Sequence, residues 1–476
     1  MKFPVKHLKQ MQMKKISIFS LMLAFSLLSV SGTDALEIRI IGEKLSIHAD
    51  HVPLQNILKH MVDLGIRVQI DPDLNPEISA SFENRDIQEG LGSILKSLNY
   101  VLIWESPEGL PVPVAKLTEI QIFKPGKKKF MKPFIIRSGF SVKQNPSDRS
   151  LYVQNEILLM LKSGMTRVEF MKLLKELGGI VVSINKILGI YRIRLPENSD
   201  VSSLVNLVTS HPGIAGAEPN YAYPISLPHR GGNPIEVNTD LSVNRPHEGA
   251  VPIAILDSGL RPDSGLTDVV LASFDALSPD EAISDSLGHG TQMALIAAGV
   301  IEPYGVSENS ETTSPIIPIR TFDDNGFTSN FSIMRGIEFA LENGARVMSL
   351  SWGAETGSEF LENALEYAES KGLFIVASAG NEPTGKPVYP AAYPSVIGIG
   401  ALAPDGKPWE KSNYGDFVTL KAPGFATLPV GYNGEPGIYA GTSISAAFVA
   451  RFISDYMSRN PDATVKDVQS ALRSRF

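Results

Sequence analysis

Near the end of the chain, "AGTSISAAFVA" (residues 440–450) sets Ser443 between Gly-Thr and a run of small and apolar residues. A serine hydroxyl is a nucleophile only beside a base, because its own pKa lies far above neutrality. Cysteine is absent, and beyond residue 250 there is a single histidine, His289. Acyl-transfer chemistry with an imidazole base would therefore use His289, with Ser or Thr as nucleophile. That base needs an acid to fix its tautomer and to stabilise the imidazolium. Asp257 closes the apolar run "VPIAILD" and is placed to be that acid. Ser443 opens a helical pattern, so its backbone N–H can point at a developing oxyanion. Asn381, after "LFIVASAG", offers a side-chain amide as a second donor. Taken singly, each is an ordinary turn, cap or loop residue. Their joint occurrence, in the order Asp, His, Asn, Ser, with gaps long enough for a different strand end each, points to one site.

The elements that must position them alternate strand and helix through residues 251–476: "VPIAILD", "HGTQMALIAAGVI", "PIIPIRTF", "FSIMRGIEFALENGA", "RVMSLSWG", "SEFLENALEYAESKG", "LFIVASAGN", "VIGIGAL" and "GTSISAAFVARFISDYMSRN". Apolar strands with helical crossovers predict a parallel sheet with helices on both faces. Sites in such sheets lie at the carboxyl ends of strands, where Asp257, His289, Asn381 and Ser443 fall.

The stretches "AILDSGL", "GHGTQMA", "VMSLSWG", "ASAGNE" and "AGTSISAA" resemble the signatures of the subtilisin-like serine proteases across essentially all of 250–476. The resemblance implies an α/β fold, a three-layer catalytic domain built on a parallel sheet. It makes Asp257 the orienting acid, His289 the general base and acid, Ser443 the nucleophile and Asn381 the oxyanion donor. It makes the segments holding Ser351, Trp352, Gly353, Ala379 and Gly380 the edges that pair with an extended polypeptide substrate. Val388 stands where the family often has a glycine lining the specificity pocket, which implies a shortened pocket and small or medium residues before the cleaved bond. Ala447 replaces the usual proline four residues after the nucleophile, with little loss expected. No cofactor is required; calcium could bind through Asp and Glu carboxylates, with no ligand singled out, since "EPYGVSENSE" lacks the Asn-rich pattern of the family's strong calcium site.

Two small α+β domains are expected upstream. Residues 151–230 carry "LGIYRIRLPENSDV" and "GIAGAEPNYAYP", which resemble the inhibitory propeptide of the same proteases. Its first helix, "MTRVEFMKLLKELGG", is read with Val168, Met171 and Leu174 on its apolar face. The chain's own propeptide would be an intramolecular inhibitor, cut away between Tyr223 and Asn244. Residues 36–105 place Leu54, Ile57, Leu58, Met61 and Val62 on one helix and Ile87, Leu91, Ile94, Leu95 and Leu98 on another, between strands, and resemble the short N-terminal domain of secretins and TonB-dependent transducers. That resemblance implies an outer-membrane or envelope protein as partner. Residues 106–150 read as a linker containing a short apolar run, "IQIF", and a lysine cluster, and residues 231–476 as the catalytic domain.

Composition bounds the rest. A hydrophobic content of 43% with 20% charged residues suits packed domains, and a net charge of −8 argues against nucleic acid as a partner. Lys2, Lys6, Lys9, Lys14 and Lys15 precede the uncharged "ISIFSLMLAFSLLSV", which reads as a secretory signal over residues 1–35, cut between Ser31 and Ala35, with an uncleaved anchor as the alternative. The expectation is an exported serine endopeptidase of the periplasm, outer membrane or medium, made as a self-processing zymogen. The competing reading is an inactive protease-like protein that acts as a binding or signalling module through its N-terminal domain.

Overall fold

The computed structural model describes residues 36–41, 44–63, 66–71, 74–105, 116–128, 131–133, 139–226, 228–230, 243–306, 313–430 and 436–476. The expected signal segment lies outside them, as does most of the segment between the propeptide-like region and the catalytic domain. The chain divides into two compact units, Met1–Ile135 and Ile136–Phe476. No helix among the described residues is long and apolar enough to cross a membrane.

The first unit holds two sheets. Strands Leu36–Ile41, Lys44–Pro53 and Glu77–Asp86 pair antiparallel, and strands Asn99–Glu105, Lys116–Phe123, Arg67–Ile70 and Lys132–Pro133 form the second sheet in that order. Helices Leu54–Asp63 and Ile87–Ile94 bury Leu54, Ile57, Leu58, Met61, Ile87, Leu91 and Ile94 in a shared core. The sequence reading of 106–150 as linker needs correction. Strand Lys116–Phe123 runs parallel to Arg67–Ile70 and antiparallel to Asn99–Glu105, and it buries Leu117, Ile120 and Ile122 in that core. The run is short and set between prolines and lysines, so its alternation was too brief to outweigh its flanks.

In the second unit, seven parallel strands lie in the order Phe274–Asp275, Ile316–Arg320, Ile253–Asp257, Val347–Leu350, Phe374–Ser378, Ile397–Leu402, Leu420–Pro423. Every residue of Ile253–Asp257 is buried, as a near-continuous apolar run in a two-sided sheet should be. From this strand the chain first goes to one side, to Ile316–Arg320, and then to the other, to Val347–Leu350. That reversal is a topological switch point, where the carboxyl ends of strands border a crevice. Helices Asn330–Glu342 and Glu359–Ser370 share one core with the sheet. Helices His289–Ala297, Thr442–Arg459 and Val465–Arg475 share the other.

The propeptide-like region is an antiparallel sheet, Ile180–Asn185, Ile190–Arg194, Leu151–Leu161, Ile214–Pro224, with Val142–Gln144 also paired to Leu151–Leu161. It thus begins inside the segment read as linker. Helix Arg167–Leu177 starts with a capping box, Thr166 and Glu169, and buries Phe170, Leu173, Leu174 and Leu177. Of the expected face Leu174 is buried, but Val168 is 79% exposed and Met171 54% exposed. Phe170 and Leu173 outcompete them because they meet Tyr191 and the sheet behind. The opposite sheet face packs Leu158 and Ile190 into the core that also holds Phe331, Met334 and Ile337. Each such buried side chain contributes about 1.5–3 kcal/mol.

Candidate active site

Three neighbouring strands deliver most of the site. Asp257 ends the strand Ile253–Asp257, Ser351–Gly353 follow Val347–Leu350, and Ala379–Asn381 follow Phe374–Ser378. His289 is the first residue of helix His289–Ala297, and Ser443 the second of Thr442–Arg459. The structure brings Asp257 and His289 together: Nδ1 of His289 lies 2.7 Å from Oδ1 of Asp257, with both residues buried. A carboxylate only accepts, so the Nδ1 proton points at Asp257 and Nε2 carries the lone pair. Nε2 has no hydrogen-bond partner among the described residues. Oδ1 of Asp257 also accepts from the N–H of Ser258 at 2.7 Å.

Sequence reasoning missed the group that holds this corner. Asp285 is buried and takes four hydrogen bonds: Oδ1 from Ser258 Oγ and the Gly288 N–H, both at 2.8 Å, and Oδ2 from the N–H and hydroxyl of Thr291, at 2.8 and 2.7 Å. It ties the residue after Asp257 to the helix that begins at His289. The two backbones touch closely: a Cβ on Gly290 would meet the Gly259 carbonyl oxygen at 2.3 Å, and Gly259 sits at φ 116°, so both must be glycine. Burial is the largest single influence on the His289 imidazolium and opposes it. The Asp257 charge and hydrogen bond and the Asp285 charge outweigh that, so its pKa stands above the ordinary histidine value.

At the serine end, Oδ1 of Asn381 accepts from the Thr442 N–H at 2.9 Å and its hydroxyl at 3.0 Å. This turns the NH2 end of the amide toward Gly441, where a Cβ would meet Nδ2 at 3.4 Å. The Ser443 hydroxyl donates to the Ser351 carbonyl at 3.2 Å rather than to His289. Such catalytic hydrogen bonds often form only when substrate is bound. The helix runs unbroken through buried Ala447. Val388 packs against Gly353 and lies near Gly380: a Cβ on Gly353 would meet its Cγ1 at 2.4 Å, and one on Gly380 its Cγ2 at 3.9 Å. Among the described residues no group of three or more His, Asp or Glu side chains is arranged to hold a metal ion.

The propeptide-like tail is seated on this site. Ala222, Tyr223 and Pro224 pair antiparallel with Ser329, Thr328 and Phe327, and Ile225 bridges antiparallel to Trp352. Two polar residues of the tail occupy helix starts, where N–H groups lack partners. Glu218 accepts from Glu359 N–H at 2.7 Å and Ser358 Oγ at 2.6 Å, and Asn220 accepts from Phe331 N–H at 3.1 Å. Glu156 underlies them, bound by Arg192 at 2.8 and 2.6 Å and by Asn220 Nδ2 at 2.8 Å.

Comparison with known proteins gives a family and a prodomain. The subtilase family matches residues 248–475, and the fervidolysin N-terminal prodomain matches residues 141–220. The thermophilic serine proteinase of Bacillus sp. (strain AK1) is 30% identical over 319 residues, spanning 64% of this chain and 78% of that relative. Thermitase of Thermoactinomyces vulgaris is 32% identical over 204 residues, spanning 42% of this chain and 71% of that relative. The crystal structure of fervidolysin from Fervidobacterium pennivorans, described as a keratinolytic enzyme related to subtilisin, shares the fold at a TM-score of 0.52 and 23% identity, covering 69% of this chain and 58% of that one. The chain belongs to the subtilase family and is a subtilisin-like serine endopeptidase with a prodomain.

Proposed function

We propose that the protein is an exported, self-processing zymogen whose reaction runs through Asp257, His289 and Ser443. The observation that carries this reading is the 2.7 Å hydrogen bond between buried Asp257 and His289 at the switch point, beside the serine whose hydroxyl meets the substrate edge. Ser443 Oγ attacks the carbonyl carbon of the bound peptide while His289 Nε2 takes its proton. The Ser443 N–H and the Asn381 amide hold the resulting oxyanion. His289 then protonates the leaving amine, and water, activated by the same imidazole, hydrolyses the acyl-enzyme. Trp352, with Ser351 and Gly353, and the facing Ala379 and Gly380 hold the substrate as an added strand. Val388 favours small or medium residues before the cleaved bond. Calcium, if it binds, would act through surface carboxylates.

The first unit is the part of this proposal that looks outward: a module of the short secretin type, docking on an envelope protein once the basic, apolar N-terminal segment has directed export. Intact mass of the full chain, wild type beside Ser443→Ala, tests the catalytic reading. Maturation of the wild type to fragments, with the variant whole and inactive on casein, is the expected outcome. Two whole proteins, neither of which turns over casein, would return the reading to an inactive module.

A further inference from the structure

Between Glu119 and Asp148 the sequence has no acidic residue, and it places five lysines, Lys124, Lys127, Lys128, Lys129 and Lys132, within nine positions. In a linker such a run would be spread through solvent. The structure instead makes it the turn that joins strand Lys116–Phe123 to strand Lys132–Pro133, at one edge of the second sheet of the first unit. Strands Lys116–Phe123 and Arg67–Ile70 run parallel and end at this edge, with Ile122 beside Ile70. Strand Asn99–Glu105 begins there, Asn99 opposite Phe123, and Lys132 stands opposite Ile70. Exposed Lys96 comes just before Asn99, so it belongs to the same edge.

The turn is tied down at its base and open at its tip. The Lys127 N–H donates to the Lys124 carbonyl at 2.9 Å, and the Met131 N–H to the Lys128 carbonyl at 3.4 Å. The Lys128 ammonium lies 5.7 Å from the centroid of the Phe123 ring. Gly126 sits at φ 73°, and a Cβ there would find nothing within 4 Å, so the tip stands clear of the protein. Pro125, Gly126, Lys127 and Lys128 are all exposed. Asp71, which follows Ile70 at this edge, is buried. Among the described residues none of Lys96, Lys127 and Lys128 is in an ion pair.

We propose that this turn, with Lys96 beside it, docks the first unit on a bilayer of anionic phospholipid. The inference is independent of the catalytic reading. Held against a packed core, the charges stay together, and their field reaches over about a Debye length, roughly 8–10 Å. The chain as a whole carries a net charge of −8, which opposes a long polyanion such as nucleic acid. A projecting turn offers no cleft for a peptide or a nucleotide. Lysines supply hydrated point charges, without the planar fork that arginine uses to read a single phosphate or carboxylate. A flat, laterally mobile layer of phosphates suits both features, because the tip can touch it and each ammonium can meet whichever headgroup lies below.

The test uses the chain from Leu36 onward, which holds every described residue and omits the apolar N-terminal segment, with Ser443→Ala so that no self-cleavage separates the units. Its co-sedimentation is measured with vesicles of phosphatidylcholine alone and of equal parts phosphatidylcholine and phosphatidylglycerol. Binding to the mixed vesicles only, weakening as sodium chloride is raised, is expected. Each lysine near an anionic bilayer strengthens binding about fivefold, so Lys124→Gln, Lys127→Gln and Lys128→Gln together should cost about 100-fold. Lys124→Arg, Lys127→Arg and Lys128→Arg together keep the charge and should keep the binding. Lys175→Gln, Lys371→Gln and Lys466→Gln, at exposed positions of the second unit, make the same change in net charge and should cost little. Equal binding to both kinds of vesicle, or equal losses from the two glutamine triples, overturns the proposal. Binding to neither overturns it in favour of an acidic protein as the partner of this turn. Inorganic phosphate that displaces the protein more than sodium chloride of equal ionic strength would mean a discrete phosphate pocket, and overturns it too.

Discussion

The helix that begins at His289 and the helix that begins at Thr442 both start without a side-chain cap: Gly288 precedes the first at φ 84°, and Gly441 precedes the second in an extended conformation at φ 176°. Their first turns are held in different ways. At the histidine end two buried carboxylates take six hydrogen bonds between them, four to Asp285 and two to Asp257 Oδ1. The imidazole is fixed in one tautomer before any substrate arrives. At the serine end Asn381 anchors Thr442, while the Ser443 hydroxyl rests on one carbonyl at 3.2 Å, a long bond for a hydroxyl donor. On the proposed mechanism, the base is preset and the nucleophile is left to turn. Changes at the histidine end should alter the chemistry for every substrate and shift its pH dependence, whereas changes at the serine end should act on the step in which charge develops.

Asp257→Asn attacks the preset end most directly. The amide keeps the shape but can offer NH2 to Nδ1, which favours the wrong tautomer. Turnover of a chromogenic peptide should fall by about 10⁴-fold in kcat with KM little changed. A loss under tenfold would mean that other groups hold the imidazole and that the contrast between the two ends is misplaced. Asn381→Leu attacks the other end. It removes the amide donor and the acceptor for Thr442, and kcat should drop by about 10²–10³-fold. If KM rises while kcat holds, Asn381 anchors substrate and does not meet the oxyanion.

Much of this contrast was legible in the sequence, and the unread part has a common cause. The four side chains proposed to react stand out because single residues of scarce type close apolar strands or open helices, and the parallel sheet follows from the strand–helix alternation. Asp285 gave no such sign. It is one more acidic residue in the polar loop "ISDSLGHG", and only folding shows that its oxygens face Ser258, Gly288 and Thr291. The tail contacts were hidden for the same reason: Glu218 and Asn220 look like strand residues until the helix starts at Ser358 and Asn330 are brought against them. The strand Lys116–Phe123 was overlooked because its partner Arg67–Ile70 is distant in sequence. Pairings between remote segments leave little trace in either one alone.

Asp285→Asn gives the smallest effect and the sharpest test of the histidine end. An amide cannot accept all four hydrogen bonds, since its NH2 must face a donor, so stability should fall by about 1–3 kcal/mol. A knot that is only structural would do no more than that. The charge adds a second consequence. Asp285 is one of the groups that raise the His289 pKa against its burial, together with Asp257. On the proposed mechanism activity needs neutral His289, so kcat/KM should climb as pH rises through that raised value. With Asp285 neutral, the pKa drops and the acidic limb of the profile moves to lower pH. The stability that protonated His289 lends the fold has the matching sign: it is full below the ordinary histidine value and is lost as pH rises through the raised one. In the variant this loss should be complete at lower pH. Profiles of kcat/KM against pH for the two matured enzymes measure the shift. An acidic limb that stays in place, beside a lowered melting temperature, would confine Asp285 to holding the loop and leave Asp257 as the sole carboxylate that tunes the base.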